Sequence, residues 1–162
     1  MITLLTVNPA IHRNMIAAWM ESDHVSKWWG DPARGLEHFD AAGPGNHAMI
    51  ARDDTPIGYV RWGTIDAEAV ASVGLKGIPA DTIDVDIFIG TADETSRGAG
   101  SAALDAVFSR LQDETDAPLV CLSSSVENKR AHAAFRKAGC KVFADYDDPT
   151  YGPCHVFIRH LR

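Results

Sequence analysis

The spacing of apolar positions along the chain switches between periods of two and of three to four, and the switches mark out its elements. Ile2 to Val7 reads as a short strand. Asn8-Pro9 then supplies an N-cap and a proline at the first helical position, and a helix follows to about Glu21. Its residues Ile11, Met15, Ile16 and Trp19 recur at helical spacing and predict one buried stripe. From Ser22 to Gly45 the pattern is weak and predicts only a short helix around Leu36 to Ala41. His47 to Arg52 and Ile57 to Thr64 flank Asp53-Asp54-Thr55-Pro56, which predicts a hairpin. Asp66 to Ala80, with Gly74, Gly77 and Pro79, reads as a long loop.

The second half is more regular. Ile83 to Gly90 alternates apolar and polar residues before turning wholly apolar, as a strand entering a core does. Gly98 to Gln112 carries the helical stripe Leu104, Val107, Phe108 and Leu111. Pro118 to Leu122 reads as a short buried strand, and Glu127 to Ala138 as a helix closed by Gly139. Val142 to Tyr146 and Cys154 to Arg159 close the chain as two strands. Neither repeats nor a linker interrupt this order, so residues 1–162 are expected to form a single α/β or α+β domain.

Composition narrows the function classes. At 162 residues, with 46% hydrophobic and 23% charged residues, the chain can bury a core without disulfides or structural metals. Fifteen Lys and Arg against 22 Asp and Glu leave a formal charge of −7, which disfavours a nucleic-acid partner and favours a cationic ligand such as an amine. Cys121, Cys140 and Cys154 cannot all pair and form no Cys-x-x-Cys motif, which fits a reducing compartment. With no signal-like start and no apolar run near the roughly 20 residues of a membrane span, a cytoplasmic protein without membrane contact is expected. The histidines show no metal-ligand spacing with each other or with the cysteines, so no metal is expected.

The segment richest in chemistry is Ser96-Arg97-Gly98-Ala99-Gly100-Ser101-Ala102, between the strand ending near Gly90 and the helix starting near Gly98. Glycines admit a ligand close to the backbone, first-turn N–H groups have no partner within the helix, and the dipole favours an anion. Arg97 adds a positive charge suited to phosphate. A tight packing turn is the alternative. A Walker loop is excluded because no Gly-x-x-x-x-Gly-Lys is present. A dinucleotide loop fits poorly, since Thr91 to Arg97 intervenes after the strand and the next strand ends at Leu122-Ser123-Ser124 without an acid. Coenzyme A remains.

Four segments together resemble a GCN5-related N-acetyltransferase (GNAT), and within it the aminoglycoside 6′-N-acetyltransferase branch. They are His24-Val25-Ser26-Lys27-Trp28-Trp29-Gly30; Pro56-Ile57-Gly58-Tyr59; Ile87-Phe88-Ile89-Gly90 with Ser96 to Gly100; and Asn128-Lys129-Arg130-Ala131 through Phe135-Arg136-Lys137-Ala138-Gly139-Cys140. The resemblance implies a mixed central sheet of about seven strands flanked by about four helices. It also implies acetyl-CoA as co-substrate and direct attack by a primary amine of a small molecule. Phe88, Ile89 and Gly90 would hold the acyl end, a backbone N–H of Ile89 or its neighbour taking the thioester carbonyl. Arg97, Gly98, Ala99, Gly100 and Ser101 would cradle phosphate, and Asn128, Ala131 and Phe135 would complete the coenzyme segment. Asn128 is equally readable as a plain N-cap.

For the base, Asp84 and Asp86 stand two apart on one strand and so share a face. Paired carboxylates tend to raise one pKa, which suits a base near neutral pH. A solvated strand face explains them too. Asp86 falls where the branch carries its acceptor-binding acid. Trp28 and Trp29 either wall the acceptor or anchor the core, and His24 is read as a cap of the following turn. Phe135 stands where the family has a proton-donating tyrosine; Tyr146 and Tyr151 are substitutes. Ser123 replaces a second acceptor-binding acid, and Cys140 an aromatic. The acceptor is expected to be amino-sugar or polyamine-like. The alternatives are a lysine-derived siderophore-type metabolite or protein amine, and a non-catalytic CoA-binding sensor. Exposed final strands suggest a homodimer.

Overall fold

The computed structural model describes all residues, 1–162. Seven strands, β1 (Ile2–Leu5), β2 (His47–Arg52), β3 (Thr55–Thr64), β4 (Ile83–Ile89), β5 (Leu119–Ser125), β6 (Lys141–Asp148) and β7 (Gly152–His160), form one mixed sheet in the order β1-β2-β3-β4-β5-β7-β6. The helices are α1 (Pro9–Glu21), α2 (Asp23–Trp29), α3 (Pro32–Ala41), α4 (Ala67–Ser72), α5 (Ala99–Glu114) and α6 (Lys129–Lys137). The expected α/β class and seven strands are therefore present, with two helices, α2 and α4, in stretches that carried no readable period. No helix is long and apolar enough to cross a membrane. The backbone forms two compact units, Met1–Arg61 with Ile87–Ala103, and Trp62–Asp86 with Leu104–Arg162.

In the first unit, Asn8 caps α1 by accepting from the Ala10 N–H at 3.1 Å, with Pro9 in the first turn. The buried stripe of α1 is Ile16 and Met20, flanked by Met15 and Trp19. Ile11, expected on that stripe, is 64% exposed, because the packed stretch begins one turn later. The β2–β3 hairpin closes through Asp53 and Asp54, both at positive φ (47° and 67°), the two-residue turn whose twist matches the strands and which aspartate tolerates. The register slips after Ile50, where Ile50 faces Gly58 but Ala51 faces Pro56, so Ile57 is the bulged residue. Val7, Ile16, Met20, Val25, Phe39, Met49, Tyr59 and Phe88 make the core of this unit.

In the second unit, the stripe Leu104, Val107, Phe108 and Leu111 is fully buried, as its spacing predicts. β7 lies between β5 and β6 and pairs antiparallel with both. β6 is an edge strand, with Val142 and Phe143 exposed. α6 ends in a Schellman cap: the Cys140 N–H returns to the Phe135 carbonyl at 2.9 Å past Gly139.

Candidate active site

The end of β4 in the first unit is locked on several sides. Phe88 is buried and meets Trp29 edge-on at 4.9 Å and Trp19 at 6.2 Å. The bulged Ile57 offers its carbonyl to two successive amides, Gly90 at 2.8 Å and Thr91 at 3.2 Å. Only glycine fits at position 90, since a Cβ there would stand 2.1 Å from the Trp19 ring. After this fixed point a short 3₁₀ turn, Ala92–Glu94, leads into the glycine loop.

That loop turns through two left-handed residues, Ser96 (φ 61°) and Gly98 (φ 80°), and opens directly into α5. The Ala102 N–H already returns to the Gly98 carbonyl at 3.1 Å, so the amides just before it are those a helix leaves without an internal partner. Ser101 Oγ donates to the same carbonyl at 3.2 Å. Ala99 and Ser101 are buried, whereas Arg97 and Gly98 are exposed. Glu94 pairs Arg97 at 3.1 Å and Arg52 at 2.7 Å. The exposed guanidinium is thereby held beside the helix N-terminus rather than left to wander.

Adjacent helical positions separate the two tryptophans of α2. Trp29 packs against the core of its unit, under the Arg61 guanidinium at 5.2 Å. Trp28 is half-buried with Lys27 Nζ 4.8 Å above its ring. His24 differs from its expected capping role: its Nε2 donates to the Ile89 carbonyl at 3.0 Å. The sequence carried no signal for that partner, because α2 had no readable period.

In the second unit, β4 and β5 pair in parallel through Ile83↔Val120 and Asp84↔Cys121. This register sets Asp84 beside Cys121, whose thiol donates to Asp84 Oδ1 at 3.6 Å. Burial first, and then the Asp84 and Asp86 carboxylates, push the Cys121 thiol far above its ordinary value. Asp86 shares that face two residues on. Tyr146 on β6 hydrogen-bonds Ser123; burial pushes its phenol up to about 12 against the pull of that bond. Of the two substitute tyrosines, Tyr146 is therefore tied to β5, and Tyr151 is exposed in the β6–β7 turn.

Asn128 is the N-cap of α6, its side chain accepting from the Ala131 N–H at 3.3 Å. Phe135 is buried edge-on against Phe157 at 5.3 Å. Nearby, His132 is buried with Nε2 on the Ser125 carbonyl at 3.1 Å, and its ring meets that of His155, which holds Asp145. Sequence reading passed over these histidines because their contact runs between a helix and a strand. No group of three or more His, Cys, Asp or Glu side chains converges as metal ligands do.

Comparison with known proteins gives this geometry its family. No curated protein matches the chain in sequence. Among solved structures, aminoglycoside acetyltransferase AAC(6')-Ib in complex with coenzyme A and kanamycin superposes with a TM-score of 0.79 at 18% identity, covering 99% of this chain and 95% of the other. An aminoglycoside N(6')acetyltransferase from Legionella pneumophila gives 0.74 at 15% identity over 99% and 92%. A GNAT-family acetyltransferase from Bacillus anthracis gives 0.76 at 9% identity over 99% and 95%. These likenesses show the fold. The model of the acetyltransferase (GNAT) domain matches residues 8–147. The chain thus belongs to the GNAT family and is an acetyl-CoA-dependent N-acetyltransferase, as its four landmark segments resemble.

Proposed function

We propose that the chain transfers acetyl from acetyl-CoA to a primary amine of a small cationic acceptor of the amino-sugar or polyamine kind. The observation that carries this reading is the carboxylate pair on β4: Asp84 is engaged by the Cys121 thiol, and Asp86 stands next on the same face. An alkylammonium must lose a proton before its nitrogen attacks, and Asp86 is the proposed base, with Asp84 holding the field around it. Acetyl-CoA supplies the activated acyl group when bound. For it the fit lies in the first unit, where left-handed Gly98, the amides of Ala99, Gly100 and Ser101, and the tethered Arg97 suit a pyrophosphate. The backbone of Phe88, Ile89 and Gly90 is assigned to the acyl end. Asn128, Ala131 and Phe135 are carried as coenzyme-segment residues and Trp28 and Trp29 as acceptor contacts. The kanamycin in the AAC(6')-Ib complex supports an amino-sugar.

One observation bears on the leaving group. Phe135 has no proton to give and is packed in a core, so the coenzyme thiolate gets no proton from this position. Edge strand β6, with Val142 and Phe143 exposed, is proposed to pair with a second copy, and light scattering of the eluted protein tests that.

A thermal-shift titration with acetyl-CoA, against NAD(H) and ATP, comes first. At 100 times its dissociation constant a ligand stabilises by about 2.7 kcal/mol, a rise of roughly 5–11 °C for a domain of this size. Thiol release with kanamycin and spermidine as acceptors follows. Asp86→Asn is expected to lower that rate about 100-fold or more while the acetyl-CoA shift persists. An unchanged rate removes Asp86 as base, and a shift without turnover on kanamycin or spermidine counts against the amino-sugar and polyamine acceptors.

A further inference from the structure

The peptide joining Ile89 to Gly90 is gripped at both ends. Its N–H, on Gly90, donates to the Ile57 carbonyl at 2.8 Å. The Phe88 carbonyl faces the same neighbouring strand, since a Cβ on Gly58 would stand 2.5 Å from that oxygen. Successive residues of a strand direct their polar groups to opposite edges. Residues 88 and 90 therefore address β3, and the N–H and C=O of Ile89 point to the other edge. There the Ile89 carbonyl takes the imidazole of His24, Nε2 at 3.0 Å.

A carbonyl oxygen can only accept, so Nε2 carries the hydrogen, in the neutral tautomer and the cation alike. The bond needs no particular charge on the ring. It substitutes a side-chain donor from α2 for the donor a paired strand would provide, at a residue where β4 ends. With the carbonyl held by His24 and the amide held by Ile57, the Ile89–Gly90 peptide plane cannot rotate, which fixes ψ of Ile89 and φ of Gly90, while the preceding plane has its Phe88 carbonyl turned to β3.

We propose that His24 is a positioning residue: by pinning the plane on the C-terminal side of Ile89 it limits the swing of that residue and so steadies the adjoining Phe88–Ile89 plane, whose N–H is thereby aimed at the thioester carbonyl of acetyl-CoA. The inference rests on the proposed use of that N–H for the acyl end. Its effect belongs to the acetyl group alone, because the nucleotide portion of the coenzyme is assigned to the loop at Gly98. His24 thereby becomes a determinant of the preference for acetyl-CoA over free CoA.

Calorimetric titration of the wild type, His24→Leu and His24→Gln with acetyl-CoA and with CoA tests it. Losing the aim of one hydrogen bond is expected to weaken acetyl-CoA binding about threefold to tenfold in the Leu variant and leave CoA binding unchanged. The Gln variant, which keeps an N–H donor, is expected to recover most of the preference. In bound acetyl-CoA labelled with ¹³C at the carbonyl, the stretching band should move to higher frequency in the Leu variant and return in the Gln variant. Equal weakening of both ligands, unchanged acetyl-CoA affinity, or a Gln variant no better than Leu each overturns the proposal. Wild-type protein that binds neither ligand overturns the donor-site reading itself. Should the Leu variant not fold, nitrogen-15 spectra of the wild type decide. An Ile89 amide that shifts with acetyl-CoA but not with CoA supports the aim, and one that responds to both alike refutes it.

Discussion

At Gly90 a single methyl group has nowhere to go. Its carbon would stand 2.1 Å from the ring of Trp19, which is itself set edge-on to Phe88. Gly90→Ala is expected to cost about 1–3 kcal/mol by overpacking, or roughly 2–12 °C in Tm. Shrinking the obstacle in the double variant Gly90→Ala, Trp19→Leu should recover part of that loss, since contacting residues couple. An alanine variant that melts with the wild type would show that the ring can move aside. Apart from its place in the family-like Ile87-Phe88-Ile89-Gly90 run, the glycine was legible in the sequence only as the end of a strand. Its reason lies in α1, far away along the chain, and no local pattern announces such a contact. The same holds for Cys121 beside Asp84: alternation placed the two aspartates on one face, but only the strand register says which side chain sits opposite.

Among the elements, α6 offers the sharpest test because Asn128 has two readings that a substitution separates. As the cap it satisfies the Ala131 amide. Asn128→Ala is expected to destabilise by about 1 kcal/mol, roughly 2–4 °C in Tm. Asn128→Asp keeps a capping oxygen but removes the amide N–H groups, so it should melt near the wild type. Weaker acetyl-CoA binding in this Asp variant, read by titration, would mark the amide as a ligand contact; unchanged binding leaves Asn128 a cap alone. Long elements such as α5 were legible because sixteen residues display several turns of their stripe. α2 and α4, with seven and six residues, are too short to show a period, and both start on local caps or acids. That is why His24 was read as a cap.

For the molecule as a whole, the buried titratable groups set a window of pH. Burial raises the thiols of Cys121, Cys140 and Cys154 and the Tyr146 phenol. The folded chain keeps those protons after the unfolded chain has lost them. Their contribution is thus whole below the ordinary thiol value of 9.0 and drains away as pH rises past it. His47 and His132 are lowered, chiefly by burial, so the unfolded chain takes up protons first as pH falls. Their contribution is whole above 6.5 and is lost below it. Melting temperature is expected to be level from about pH 6.5 to 9 and to fall on either side; calorimetric scans across pH check both flanks, and a steady rise through pH 9 would contradict the thiol assignment. The α/β class was legible from the order of elements and the mixed sheet of about seven strands from the family resemblance, whereas the strand order was not, since which strand inserts between which leaves no mark on local sequence. The sealed cysteines also have a practical side. All three are free and buried. A thiol-reactive dye is then blank toward the folded protein and colours only with coenzyme released into solution. Left for hours with the dye alone, the sample becomes its own clock, because three equivalents of late colour can come only from molecules that have opened.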